Sequence, residues 1–232
     1  MIRCAVAAMA ALASQPLAAQ AYYCRVPAQV AVPRTAPDAP PRPLPVTGYT
    51  LALSWSPAFC RTREFQSSHA RQCSGRAGQF GLVVHGLWPE SGRSWPQWCP
   101  TSAQPTPTQL ARNLCMTPSP RLLARQWAKH GSCMARRPET YYKITRILWN
   151  GLTLPDLDGM SRQPDLTAGD LRALFAAANP GWRAQGVGLV LNKEGWLQEV
   201  RLCYDRRFRP AACDRWRFGP TDRALLKIWR GF

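Results

Sequence analysis

Apolar residues along this 232-residue chain fall into short runs separated by long polar and proline-rich stretches, and the period of the runs changes along the sequence. Residues 49–60, YTLALSWSPAFC, alternate apolar with small side chains up to Pro57 and predict a first strand. Residues 80–90, FGLVVHGLWPE, open with Phe80, Leu82, Val83 and Val84, the nearly continuous run of a buried strand. Gly86 and Pro89 make that strand hard to prolong, so it is expected to end at His85. The pattern then turns helical. In residues 121–130, RLLARQWAKH, Pro120 stands at the start, good helix formers fill the interior and Gly131 can stop the helix. Leu123 and Trp127 form the apolar pair of that helix, whereas Gln126, Lys129 and His130 share another face. Residues 141–148 predict a second helix, followed by a loop, GLTLPDLDG. A third helix is capped by Thr167 and stopped by Asn179–Pro180, and residues 186–205 predict a hairpin turning near residues 193–195.

Between these elements lie segments without a core pattern. Residues 28–47, AQVAVPRTAPDAPPRPLPVT, predict an extended tail, partly polyproline II, with no core of its own. His69 reads as an exposed loop histidine. Residues 91–109 carry Trp95 and Trp98 among prolines; a long loop bearing aromatics can stack bases or simply cover the core, and the pattern does not choose. With neither an internal repeat nor a composition shift, one domain is expected over residues 48–232, behind a tail at 22–47.

The first residues, MIRCAVAAMAALASQPLAAQA, combine Arg3, a short Ala-rich stretch and small residues at Ala19 and Ala21, the pattern of an export signal over residues 1–21. No segment approaches the about 20 apolar residues that a membrane helix needs, so membrane insertion is not expected. The protein is expected in the periplasm or outside the cell. Without that signal eight cysteines remain: Cys24, Cys60, Cys73, Cys99, Cys115, Cys133, Cys203 and Cys213. An even number in an exported chain argues for disulfides, and short separations favour Cys60–Cys73 and Cys203–Cys213.

Charge narrows the partners. Lys and Arg number 30 against 13 acids, a formal +17, and such a surface attracts polyanions such as nucleic acid, acidic glycans or an anionic envelope. The chain holds neither a G-x-S-x-G elbow nor a P-loop, so serine-hydrolase and nucleotide-hydrolase readings have no foothold. What it does hold is two imidazoles, a lysine and a tryptophan. Cleaving RNA by its own 2′-hydroxyl needs a base for that proton and an acid for the leaving 5′-oxygen, both titrating near working pH. An ammonium such as Lys129 stabilises the charge that builds on the phosphoryl oxygens. No metal or other cofactor is required. A zinc site on His85, His130 and Cys133 is the competing metal reading, and the expectation of disulfides argues against its thiolate.

VVHGLWP and RQWAKHGSC resemble the two active-site segments of the ribonuclease T2 family, HGLWP and HEWxKHGTC. LALSWSPAFC and QEVRLCYDRRFRPAAC resemble that family's first strand and its C-terminal strand with disulfide loop, so the likeness covers residues 48–215. The resemblance implies an α+β fold, an antiparallel β-sheet packed with helices and stapled by disulfides. It implies an enzyme that cleaves single-stranded RNA through a 2′,3′-cyclic phosphate; a monomer is expected. His85 then matches the general acid, His130 the general base, Lys129 the family lysine and Trp88 a substrate-binding tryptophan. The second segment's disulfide would join Cys133 to Cys99, leaving Cys24 and Cys115 for each other. One position departs: Gln126 stands where the family has a catalytic glutamate, and Arg125 where a histidine usually precedes it. An amide can hydrogen-bond a phosphoryl oxygen but cannot ionise, so activity lower by about 10- to 100-fold is expected if that carboxyl acts as an acid–base group. The alternative is an exported cationic RNA-binding protein whose catalysis has weakened.

Overall fold

Four strands form one antiparallel sheet: β1 (Gly48–Trp55), β2 (Leu82–Glu90), β3 (Val187–Leu191) and β4 (Leu197–Asp205), in the spatial order β2-β1-β4-β3. The computed structural model describes residues 23–230, and the export signal expected at 1–21 lies outside them. The three longest helices of the α+β fold among the described residues are α1 (Pro120–Lys129), α2 (Pro138–Asn150) and α3 (Ala168–Ala178). Local chemistry accounts for their starts. The Ser119 hydroxyl accepts from Leu122 N ahead of Pro120, and Thr167 forms a capping box with Asp170. A short helix, Leu157–Met160, capped by Asp156, interrupts the loop expected there; four residues are too few to show a helical period. His69 is half-buried, edge-on to Phe59, rather than exposed.

The sheet's inner face is a continuous apolar surface. Leu51 and Leu53 of β1, Val84 and Leu87 of β2, and Val200 and Leu202 of β4 join one buried cluster with Leu123 and Trp127 of α1, Tyr141 and Tyr142 of α2, and Phe175 of α3. Burial of such side chains is the main favourable contribution to folding. Four disulfides staple the chain: Cys24–Cys115, Cys60–Cys73, Cys99–Cys133 and Cys203–Cys213. Cys133 is therefore not a thiolate, which removes the zinc reading that used it.

Two further expectations need correction. The strand through His85 does not end there; β2 runs past Gly86 and Pro89 to Glu90. Pro89 is tolerated because β2 is an edge strand, where a missing N–H breaks no ladder on the outer side. The proline-rich segment is extended, as expected, but is docked on the body. Val30 is buried in the main core, and Arg42 forms an isolated antiparallel bridge with Gln97.

Past β4 the chain folds back over the sheet and ends its turn in α4 (Arg215–Phe218). Arg172 of α3, fully buried, holds this segment. Its Nε donates to Val187 O, its Nη2 donates to Phe218 O and Pro220 O, and its Nη1 meets Asp222 at 2.6 Å. Methionine would fill the space yet leave those carbonyls without donors. Arg172→Met is expected to lower unfolding stability by about 3 kcal/mol, read by denaturant titration; a loss below about 0.5 kcal/mol would mean that water replaces the guanidinium.

Candidate active site

The register of β1 against β2 builds the site. Leu53 pairs with Val84 and Ala52 with Gly86, so His85 is an extra residue between two consecutive pairs, a β-bulge. A regular strand alternates faces every residue and would send His85 to the side of Leu87. The bulge changes that. It keeps Val84 and Leu87 in the core and presents His85 on the outer face with Trp88, their rings 5.2 Å apart and edge to face.

Across the sheet, β4 places Glu199 and Arg201 on the same outer face. His85 Nδ1 meets Glu199 Oε1 at 2.5 Å, and Arg201 grips the other carboxylate oxygen at 3.0 Å. Burial pushes the Glu199 carboxyl upward, but the His85 hydrogen bond and charge and the Arg201 charge outweigh it and hold the group below its usual range. An ionised carboxylate thus fixes one ring nitrogen of His85, whose side chain remains 34% exposed. Arg201 also lies over the Trp88 ring at 5.5 Å.

Helix α1 supplies the other side. His130 caps its C-terminus through a backbone bond to Gln126 O, and its ring lies 5.8 Å from Trp88. Only 8% of His130 is exposed, and its Nδ1 is buried without a hydrogen-bond partner. Desolvation, with the positive charges of Lys129, His85 and Arg125, lowers His130 to about 3, while Asp38 opposes that shift. The ring is neutral at any ordinary pH. Gln126 is buried, and its Oε1 accepts from Trp88 Nε1 at 2.8 Å, so the amide oxygen is committed to the indole. Trp127, on the opposite side, is wholly in the core.

A cavity of about 250 Å³ opens against this set, with Trp88, Lys129, His130 and Arg201 in its wall. Trp95 and Trp216 stand at the same cavity, each more than a third exposed. The two tryptophans of the long loop therefore divide: Trp95 lines the cavity, and Trp98 is buried cover. Glu90 and Arg217 form a buried ion pair at 3.0 Å in the wall, with Thr50 donating to Glu90 at 2.7 Å. Sequence reasoning had singled out His85, Trp88, Gln126, Lys129 and His130, which the fold gathers. It missed Glu199 and Arg201, although opposite charges two apart in a half-buried strand are a legible cue. It also missed Asp38, which meets Lys129 and Arg125 from the proline-rich segment and had no local signal.

Fold and site together define a disulfide-stapled α+β protein in which two histidines flank one tryptophan at the wall of a cationic cavity. The chain belongs to the ribonuclease T2 family, whose sequence model matches residues 47–157. It is 32% identical over 183 residues to a probable ribonuclease of Haemophilus influenzae, covering 73% of this chain and 61% of that relative's length. It is 33% identical over 163 residues to a ribonuclease of Aeromonas hydrophila, 68% of this chain and 71% of the relative. Among solved structures, trichomaglin, described as a novel S-like ribonuclease, shares the fold with a TM-score of 0.64 at 21% identity, over 80% of this chain and 98% of that one.

Gly86 sets the spacing at the centre of the site. A Cβ there would stand 2.1 Å from Gln126 Oε1 and 2.6 Å from Trp88 Nε1. Gly86→Ala is expected to cost about 2 kcal/mol in a denaturant melt, and Gln126→Ala in the same chain is expected to recover part of that loss; independent, additive effects would show that the two residues do not compete for the space.

Proposed function

We propose that this protein is a metal-independent endoribonuclease that cleaves single-stranded RNA by transesterification, giving 2′,3′-cyclic phosphate ends. The observation that carries the reading is the contrast between its two imidazoles. His130 is stripped of water and neutral, while His85 is tied to an ionised carboxylate, and both rings contact Trp88, which lines the cavity together with His130. Environments that differ in this way separate a base from an acid.

In the first step neutral His130 takes the proton of the 2′-hydroxyl as that oxygen attacks phosphorus. The bond from phosphorus to the 5′-oxygen breaks, and His85, protonated and balanced by Glu199, gives its proton to the departing oxygen. Lys129 in the cavity wall is suited to the charge on the non-bridging oxygens, and the Trp88 face to a flanking sugar or base. Gln126 supports the site by fixing Trp88, a task an amide performs without ionising. The catalytic unit is read as a single domain over residues 48–232, acting as a monomer without cofactor. Four disulfides support export to an oxidising compartment, the periplasm or the extracellular space.

Digestion of a short single-stranded RNA in excess chelator is expected to give fragments ending in cyclic phosphate, and His85→Ala and His130→Ala each to lower kcat by about 100-fold or more. Because His130 is held neutral down to about 3, the acid limb of kcat/KM set by the base is expected well below pH 6.5. Binding without cleavage would leave the cationic RNA-binding alternative. Gln126→Glu is expected to raise kcat by about 10-fold, since a carboxylate can accept from the indole and also carry a proton; equal turnover in the two forms would show that position 126 does not limit the reaction.

A further inference from the structure

The ammonium of Lys129 ends a side chain with four rotatable bonds, and a free one would sample many positions along the cavity wall. It is not free. Lys129 Nζ donates to both oxygens of Asp38, at 3.1 and 3.2 Å, and the same carboxylate accepts from Trp98 Nε1 at 2.9 Å and from Arg125 Nη2. Asp38 lies outside the stretch that matches the family model. It comes from the proline-rich segment, which precedes the family-matched residues 47–157.

That segment is held in register. Arg42 and Gln97 exchange backbone bonds of 2.8 and 3.0 Å, Gln97 Nε2 donates to Pro40 O at 3.0 Å, and the Arg42 guanidinium lies over Trp95 at 5.1 Å. Lys129 stands in the cavity wall and Asp38 does not, so the carboxylate holds the ammonium from the outer side. An ammonium has three protons, and this arrangement leaves donor capacity for an anion in the cavity. Asp38 is exposed; local desolvation pushes its carboxyl upward, yet hydrogen bonds from Lys129 and Trp98 and the charges of Arg125 and Lys129 hold it down at about 2. It is ionised wherever the protein works.

Resting on the ribonuclease reading, we infer that Asp38 is a positioning residue for that reaction, fixing the Lys129 ammonium against the transition-state phosphoryl group from a segment outside the catalytic body. Lys129, Arg125 and His85 all bear positive charge toward His130, and Asp38 is the carboxylate that opposes them. Gln126 contributes no charge. The negative group at the helix end of the site comes from the arm, where a neutral amide occupies the helix position.

The test is steady-state cleavage of a short RNA by the full chain carrying Asp38→Asn, Asp38→Glu, Lys129→Ala and the Asp38→Asn/Lys129→Ala pair. Asp38→Asn is expected to lower kcat by about 10-fold with KM changed less than about twofold, because the contact orients a group used in the transition state. Asp38→Glu is expected to recover part of that loss. In the Lys129→Ala background Asp38→Asn is expected to cost nothing further, since its effect passes through the ammonium. A merely structural carboxylate would instead lower melting temperature and give additive losses in the pair, which overturns the inference. Faster turnover in Asp38→Asn overturns it too, because the carboxylate would then compete with phosphate. An active wild type with an unchanged Asp38→Asn variant removes only this inference; a wild type that cleaves no RNA removes the ribonuclease reading and this inference with it.

Discussion

A strand alternates its side chains strictly, and FGLVVHGLWPE asks for something that strict alternation forbids. Val84 and Leu87 must both be buried, while His85 and Trp88 must both face out, and each pair is three residues apart. One unpaired residue between the Ala52 and Leu53 positions of the neighbouring strand satisfies both demands, and that residue is His85 itself. The rest of the site depends on this step. Without it the imidazole would point into the core, away from Glu199, and the glycine that follows would have no reason to make room for Gln126.

Electrostatics then separates two chemically identical side chains. The sheet histidine meets a carboxylate that is itself gripped by Arg201, and the helix histidine meets cations and a dry environment. Desolvation dominates at His130, and it is expensive: the structure tolerates a buried nitrogen with no partner there. An imidazole held neutral beside a cationic cavity has a lone pair open to a proton, and the negative charge of a phosphate in that cavity would raise its proton affinity. The surplus of positive charge serves a different purpose. Arginines with paired forks, such as Arg172, Arg201 and Arg217, act in the walls of the fold, while the uncompensated remainder of the +17 raises the local concentration of any polyanion and is screened by salt.

Much of this was legible because local signals and tertiary demands agreed. Ser119 and Pro120 mark the start of α1, the Thr167 box marks α3, and the spacing of Gln126, Lys129 and His130 reads directly as a shared face. The strand end was misread because Gly86 and Pro89 are breakers when considered in isolation. An edge position tolerates the proline, and close packing against Gln126 demands the glycine, and neither fact exists before the sheet does. Glu199 lay within a recognised strand, but its partner is 114 residues away. A pair that distant leaves no period in the sequence.

The proline-rich arm marks the limit of pattern reading most clearly. Proline and small residues predict extended chain correctly, and extended chain with few large apolar groups predicts no core of its own. Neither statement excludes docking, because an extended segment can borrow a core: Val30 enters the main cluster, and Arg42 adds a bridge to Gln97, just ahead of the Cys99–Cys133 disulfide. Such a segment is stiff, so little entropy is lost in fixing it. Rigid backbone tied at Cys24 and at β1 can therefore hold one carboxylate at a defined point beside α1. A flexible linker of the same length would bring Asp38 to Lys129 only at the cost of ordering every residue between.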